Sequence, residues 1–298
     1  MKRVNVLMST YNGERFLHQQ IESILRQDEV DVVLTIRDDG STDKTCAILD
    51  EYQSQGLLTW YSGDNLGPAR SFMQLLKDAD EADYYAFADQ DDFWKPEKLK
   101  VAVHQLEAAP DQPALYFCQT CLTDQDLNPL PHQIPISPLL TYGESLVYQF
   151  VGGCTMVLNP LLRKAINHYH PEVLYMHDVW IYSTCLSIGG KVFFDKQSHI
   201  LYRQHSSNVI GQGNKLTEWK RRINRITTGQ HARYNTALEL LRGYENQMPQ
   251  ANFQLTKAFI EAKRNFITRL KLLYDNRLNT ANIATSRAFR IALLFGTY

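Results

Sequence analysis

The sequence predicts an α/β fold: a mainly parallel, doubly wound sheet with helices on both faces, followed by a section built only of helices. Three observations carry this. Over about the first hundred residues, β-rich runs alternate with patterns of helical period, the rhythm of parallel strands joined by crossover helices. Three of these runs end in polar clusters, Ser9-Thr10-Tyr11-Asn12, Asp38-Asp39-Gly40-Ser41 and Asp89-Gln90-Asp91-Asp92. Parallel packing brings such ends to one rim, where sheets of this kind bind ligands. Beyond Gly213 no strand pattern recurs, and Lys and Arg interleave with Leu, Ile and Phe.

"VNVLMST" is a short β-rich run, and "ERFLHQQIESILRQ" follows with Phe16, Leu17, Ile21, Ile24 and Leu25 on one helical face. "DVVLTIRDDG" is the second strand. "STDKTCAILDEY" opens a helix with Ser41 or Thr42 as N-cap candidates. "LLTWYSGDN" and "DYYAFADQ" are strands flanking the helix "ARSFMQLLKDA". A further helix starts near Pro96, a favoured first-turn residue. "PALYFCQTCLTD", "CTMVLN" and "KVFFDK" read as later strands, and "PLLRKAINHY" and "MHDVWIYSTCLSIGG" as helices, the second closed by a glycine pair. Four prolines between Pro129 and Pro138 mark a loop.

A chain of 298 residues with 44% hydrophobic content supports a substantial core. The formal net charge is −1, but it is unevenly spread. From Lys215 to Tyr298 there are 15 basic and 5 acidic side chains, leaving 16 and 27 for the rest. A basic tail section on an acidic body fits either an anionic partner or a solvated helical face. The five cysteines and the lack of a secretory signal argue against a disulfide framework and for a reducing cytoplasm. Cys118 and Cys121 form a lone Cys-x-x-Cys without a second pair, which fits buried apolar positions better than zinc. No apolar run approaches the roughly 20 residues that span a bilayer, so membrane contact would be peripheral. The basic section lacks a nucleic-acid-binding motif, so no nucleic-acid partner is expected.

Asp89 and Asp91 flank one residue at the end of a buried strand. Two carboxylates so close repel without a cation, and hard divalent ions such as Mg²⁺ or Mn²⁺ take carboxylate oxygens together with phosphate. An acidic helix N-terminus before Pro96 is the alternative on spacing alone. Asp38-Asp39-Gly40 lies in a strand-to-helix turn, where a carboxylate can accept from a base imide or a ribose hydroxyl. Neither a Gly-x-Gly-x-x-Gly fingerprint nor a Walker A motif is present.

"VNVLMSTYNGERFLHQQIESILRQ", "IRDDGSTDKT", "NLGPARSF" and "FADQDDFWKPEKL" closely resemble glycosyltransferase family 2, the inverting nucleotide-sugar glycosyltransferases with the GT-A fold. Four separate motifs agree in order and spacing. "GGCTMVLN", "MHDVW" and "YRQHSSNVIG" are similar to the rhamnosyltransferases of that family that build bacterial surface polysaccharides. The resemblance implies a GT-A domain over residues 1–213 and leaves a basic helical C-terminal section over 214–298. That section would contact a membrane surface, at the inner face of the cell membrane, or a second copy of the chain.

The resemblance also implies roles by position. Thr10, Tyr11, Glu14 and Asp39 would surround the base and ribose, and Arg70 would lie near the donor. The Asp-x-Asp motif falls on Asp89, Gln90 and Asp91, with Asp91 as the direct ligand of Mn²⁺ or Mg²⁺ and His205 as a further ligand. Asp178 in "MHDVW" would be the general base, its alternative being a helix N-cap. Relatives often have Glu-Asp where this chain has His177-Asp178. His177 and Trp180 would contact the acceptor, although a buried Trp is the competing reading of Trp180. Gly152 and Gly153 would let the backbone approach the sugars. The activity implied is transfer of a sugar, with dTDP-L-rhamnose first as donor, to a growing glycan on a membrane lipid carrier. The alternatives are the same class with a UDP-hexose donor, or a non-catalytic nucleotide- or glycan-binding module on the same fold. Asp92 is left between capping the next helix and facing the acceptor.

Overall fold

A computed structural model describes residues 1–148, 150–205 and 232–298. The boundary expected at 213/214 lies outside the described residues. The chain opens with β1 (Lys2–Thr10), α1 (Leu17–Leu25), β2 (Val30–Asp38), α2 (Thr45–Ser54), β3 (Thr59–Ser62), α3 (Pro68–Asp78) and β4 (Tyr84–Ala88). It continues through β5 (Phe93–Trp94), α4 (Lys98–Leu106), β6 (Ala114–Thr123), α5 (Tyr142–Val147), β7 (Val157–Leu158), α6 (Pro160–His168), α7 (His177–Ser187) and β8 (Lys191–Arg203). Among the described residues after β8 are the helices α8 (Ala232–Tyr244), α9 (Gln250–Glu261), α10 (Phe266–Leu273) and α11 (Ile283–Phe295).

The eight strands form one sheet in the order β3-β2-β1-β4-β7-β6-β8-β5. The first four are parallel, as the alternating pattern predicts. The second half is mixed: β7 runs antiparallel to β4 and β6, β8 is parallel to β6, and β5 is antiparallel to β8. β5 and β7 are only two residues long. Such stubs need no crossover helix, so their direction is free. "KVFFDK" proves to be the start of a 13-residue strand that reaches the rim at Arg203.

Two cores lie on the two faces of the sheet. Val4, Val6 and Met8 of β1 point to one, covered by α1, α2 and α4, while Leu7, Tyr85 and Phe87 point to the other. Burial on both sides explains why β1 and β4 read as continuous apolar runs rather than alternating ones. The second face carries α3, α6 and α7, and the C-terminal helices complete it through Leu240, Tyr244, Leu255, Phe259, Phe289 and Leu293. The C-terminal section therefore shares a core with the sheet. Helix α7 is buried on every side except at Val179.

Helix starts follow local chemistry, with one difference from expectation. Asn159 caps α6 by accepting from Leu162 N at 3.0 Å, and Pro160 fills the first turn. Neither Ser41 nor Thr42 caps α2. The Ser41 hydroxyl donates to Asp38, the Thr42 amide donates to Asn12 Oδ1, and the helix begins at Thr45, whose amide donates to Asp43 Oδ1.

Gly143, inside α5, fixes the C-terminal helices to the body. A Cβ there would lie 1.9 Å from the backbone oxygen of Arg277, in the turn between α10 and α11. Helix propensity alone favours Gly143→Ala by about 1 kcal/mol. Overpacking against backbone costs about 1–3 kcal/mol and decides the sign. The expected result is a fall of several degrees in the melting temperature followed by circular dichroism, and a rise would show that the turn can move away.

Candidate active site

The carboxyl ends of β1, β2 and β4 meet at one rim, with Thr10 opposite Asp38 and Met8 opposite Ala88. Thr10 and Asp38 are buried, and the Thr10 hydroxyl donates to Asp38 Oδ1 at 2.9 Å. Asp38 Oδ2 accepts from the amides of Gly40 and Ser41, so this carboxylate shapes its own turn. Gly40 has φ +89°, a conformation glycine adopts without penalty. Asp39 Oδ1 accepts from Leu66 N at 2.9 Å and Oδ2 from Gly67 N at 2.8 Å. The buried Arg37 guanidinium also donates to Asp39 and reaches Ser71 and the backbone oxygen of Asp64. A carboxylate has about four acceptor sites, so Asp39 binds the β3–α3 loop with little capacity left over. Tyr11 is half exposed at the same rim, and Glu14 accepts from Lys44 N at 2.9 Å. Arg70 is exposed and donates to the backbone oxygen of Glu172, in the loop before α7.

The acidic turn after β4 is held from several sides. Gln90 pairs with the backbone of Tyr11 in both directions: Oε1 accepts from Tyr11 N at 2.9 Å, and Nε2 donates to Tyr11 O at 3.0 Å. A Cβ on Gly13 would lie 2.2 Å from Gln90 Oε1, so the glycine makes room for this clasp. Asp91 Oδ2 lies 2.7 Å from His205 Nε2. Arg203, at the end of β8, donates Nε to Asp91 O at 2.7 Å and Nη2 to Gln19 Oε1 at 2.9 Å, and also reaches Gln125 O. Its guanidinium carbon sits 4.3 Å from the Phe16 ring centroid. Arg203 was not singled out from the sequence, although it stands in the quoted "YRQHSSN" stretch.

Asp92 neither caps α4 nor faces an acceptor. It is fully buried, and its Oδ1 accepts from Arg203 N at 3.1 Å. Its Oδ2 has no hydrogen-bond partner among the described residues. Asp89, Asp92 and Cys154 each bring one ligand atom within 4.8 Å of the others. Burial, then the charges of Asp91 and Asp178, pushes the Asp89 carboxyl up to about 7. Burial with Asp91 and Asp89 pushes Asp92 well above the carboxylate range. Lys98 is buried beside Trp94 with Nζ 3.4 Å from the ring centroid, and burial lowers its pKa to about 8.

Asp178, the second residue of α7, is brought to this cluster from the other side. It is not the N-cap, which is Met176. Its Oδ1 accepts from Val179 N at 2.7 Å and its Oδ2 from Gly153 N at 3.1 Å. Burial raises its pKa to about 6.

The two residues beside it depart from expectation. Trp180 is 2% exposed and lies among Tyr169 and Tyr244, with centroids 6.2 and 6.0 Å away, so it offers no face to a sugar. His177 is also buried, with its ring 4.2 Å from Phe72 and 5.3 Å from Phe87. Burial drops its pKa to about 3, so it is a neutral packed ring rather than an acceptor contact. Gly153 is glycine because a Cβ would meet His177 Nε2 at 2.3 Å, whereas Gly152 faces open space.

The donor set suits a hard divalent cation. Asp91 faces His205, and Asp89 lies near enough for the Asp91 charge to add to the larger effect of burial in raising its pKa; carboxylates and an imidazole are groups such an ion accepts. Cys154 is a buried thiol whose pKa burial pushes well up, so it is a poor thiolate ligand.

The family profile of "Glycosyl transferase family 2" matches residues 5–169. Among curated relatives, the "dTDP-rhamnosyl transferase RfbG" of Shigella flexneri is 29% identical over 224 residues, covering 68% of this chain and 73% of that protein. The "UDP-Glc:alpha-D-GlcNAc-diphosphoundecaprenol beta-1,3-glucosyltransferase WfaP" of Escherichia coli is 24% identical over 224 residues, covering 75% and 85%. Among solved structures, S. aureus TarS 1-349 in complex with UDP-GlcNAc aligns over 100% of this chain and 93% of its own at TM-score 0.54 and 17% identity. The mannosyltransferase PcManGT from Pyrobaculum calidifontis, in complex with GDP-Man and Mn²⁺, aligns over 100% and 81% at TM-score 0.57 and 15% identity. The GT-A expectation is thereby met in the fold, and the chain belongs to glycosyl transferase family 2.

Proposed function

We propose that the chain is an inverting, metal-dependent glycosyltransferase that moves L-rhamnose from dTDP-L-rhamnose to a hydroxyl of a cell-surface polysaccharide precursor. The acceptor would be a glycan on a lipid carrier at the inner face of the cell membrane. The observation that carries the reaction type is the convergence of Asp178 with Asp89 and Asp91, from separate elements, on one rim. Rhamnose as the transferred sugar rests on the likeness to RfbG over 68% of the chain. A UDP-hexose donor is the second reading, favoured by the likeness to WfaP.

In this reading Asp39, Tyr11 and the backbone of the β3–α3 loop form the wall for base and ribose. Asp91, Asp89 and His205 would hold Mn²⁺ or Mg²⁺, which when bound supplies positive charge to the departing nucleoside diphosphate. Asp178 takes the proton of the acceptor hydroxyl as its oxygen bonds to the anomeric carbon from the face opposite the diphosphate. The bond from that carbon to the diphosphate oxygen breaks, and the electron pair leaves with the nucleoside diphosphate. The pKa of about 6 leaves Asp178 mostly ionised at neutral pH, yet more basic than an exposed carboxylate. Its two amide donors fix the carboxylate and leave further lone pairs for the acceptor.

Nucleoside diphosphate release from a panel of nucleotide sugars, with Mn²⁺ or Mg²⁺ and candidate acceptors, tests the donor. Turnover is expected with dTDP-L-rhamnose, and turnover confined to a UDP-hexose would replace that assignment. Asp178→Asn is expected to lower kcat by about 10²- to 10⁴-fold while donor affinity stays unchanged. A base works only when deprotonated, so kcat/KM should fall about tenfold per unit below pH 6 and level off above it. Near-normal turnover in the variant, or a flat profile through pH 6, would move the base elsewhere.

A further inference from the structure

The C-terminal helices present an apolar surface that nothing among the described residues covers. Phe266 and Leu270 of α10 and Tyr274 at its C-cap follow one another at spacings of four, with Ile267 beside them, and all four are exposed, Tyr274 at 83%. They lie opposite Leu272, the buried residue of that helix. On α11, Ile283, Ile291 and Leu294 form a second exposed row opposite the buried Phe289 and Leu293, with Phe295 at its end, 71% exposed. The two rows meet. Arg269 of α10 donates to Leu294 O at 3.3 Å, and Lys263 Nζ donates to Gly296 O at 2.5 Å. This places the end of α11 beside the start of α10.

Basic side chains are interleaved with these rows. Between Lys263 and Arg290 there are seven Lys or Arg and one acid, Asp275. Asp275 is already paired with Arg277. Arg264, Lys271 and Arg287 are exposed, and each makes no ion pair among the described residues. Exposed aromatic and aliphatic residues alternating with unpaired cations are the composition of a helix lying in a lipid headgroup region. The described helices include none long and apolar enough to cross a bilayer, so the surface would rest on it. A two-fold interface with a second copy would set the same cations against themselves without acids to match, which is unfavourable.

We propose that the exposed faces of α10 and α11 form a docking surface for an anionic lipid bilayer. The large apolar side chains enter the acyl boundary, and Arg264, Lys271 and Arg287 meet the headgroup charges. This deepens the reading of a membrane-borne acceptor, but it stands on residues remote in sequence from the catalytic rim, and its test needs no turnover.

The full chain is sedimented with vesicles of phosphatidylcholine mixed with phosphatidylglycerol, and with phosphatidylcholine alone, at low and raised salt. Binding is expected only to the anionic vesicles and is weakened by salt. Each basic residue near such a surface contributes about fivefold, so Arg264→Gln/Lys271→Gln/Arg287→Gln should bind on the order of 100-fold more weakly. Phe266→Ser/Ile267→Ser/Phe295→Ser should also lose binding while keeping the wild-type melting temperature and donor affinity. Absence of binding to anionic vesicles at low salt overturns the proposal, as does binding that survives both variants. A stable dimer that the serine variant dissociates, without vesicle binding, would assign the surface to a second copy. Failure of the donor panel with vesicle binding intact would remove the enzymatic reading and leave this surface standing.

Discussion

The crowding of carboxylates at the end of β4 is the constraint on which the rest of the structure depends. Asp89, Asp91 and Asp92 follow within four residues, and Asp178 arrives from α7 close enough to raise the Asp89 pKa. Two such charges about 5 Å apart cost about 3 kcal/mol at an effective dielectric of about 20. A loose turn would relieve this by spreading. Here Gln90 is fastened to the Tyr11 backbone, Asp92 is sealed in the core, and Arg203 grips the Asp91 carbonyl while lying against Phe16. With spreading prevented, the remaining ways to lower the energy are protonation and a nearby positive charge.

Placement of Asp178 is a packing problem solved far from the rim. Helix α7 is buried nearly all round, so each of its side chains is fitted to close-packed neighbours and a rotation would break that packing on every side. Trp180 is fixed among Tyr169 and Tyr244, and His177 between Phe72 and Phe87, and these two anchors set the angle at which Asp178 leaves the helix. Tyr244 belongs to α8, so the C-terminal helices take part in placing Asp178. His177 and Trp180 are thus positioning residues rather than ligand contacts. A smaller residue at either position would act through the orientation of Asp178.

The same facts explain what the sequence made legible. The first four strands and their helices are visible because each has several residues with one period and ends in turn chemistry, so the three polar strand ends could be placed on one rim. The stubs β5 and β7 are too short to show any period. Helix α7 has no polar face, and without one "MHDVW" does not tell which side chain points where. Asp91 and Asp92 are adjacent and chemically identical, yet one faces His205 and the other the core. That difference comes from the direction of the chain after β4, which depends on the antiparallel pairing of β5 with β8, more than a hundred residues later. Arg203 escaped notice for the same reason: its partners Gln19, Asp91 and Gln125 come from three distant segments.

Choice of donor sugar has a place in this architecture. In the proposed reading the rim of β1, β2 and β4 would grip groups that every nucleotide sugar shares, a base, a ribose and a diphosphate, and so would discriminate little among hexoses. Discrimination would require contact with the transferred ring, which in that reading lies between the diphosphate and Asp178. Gly153 and Asp178 border that space, joined through the Gly153 amide. Gly153 is glycine for packing, because His177 occupies the position of its missing Cβ, and cannot vary without moving that ring. Gly152 has no such neighbour, and a Cβ there would meet nothing within 4 Å. Nothing in the packing demands glycine at that position, so a larger side chain there would project into open space. Of the two glycines, Gly152 is the one at which size can change without a clash inside the fold.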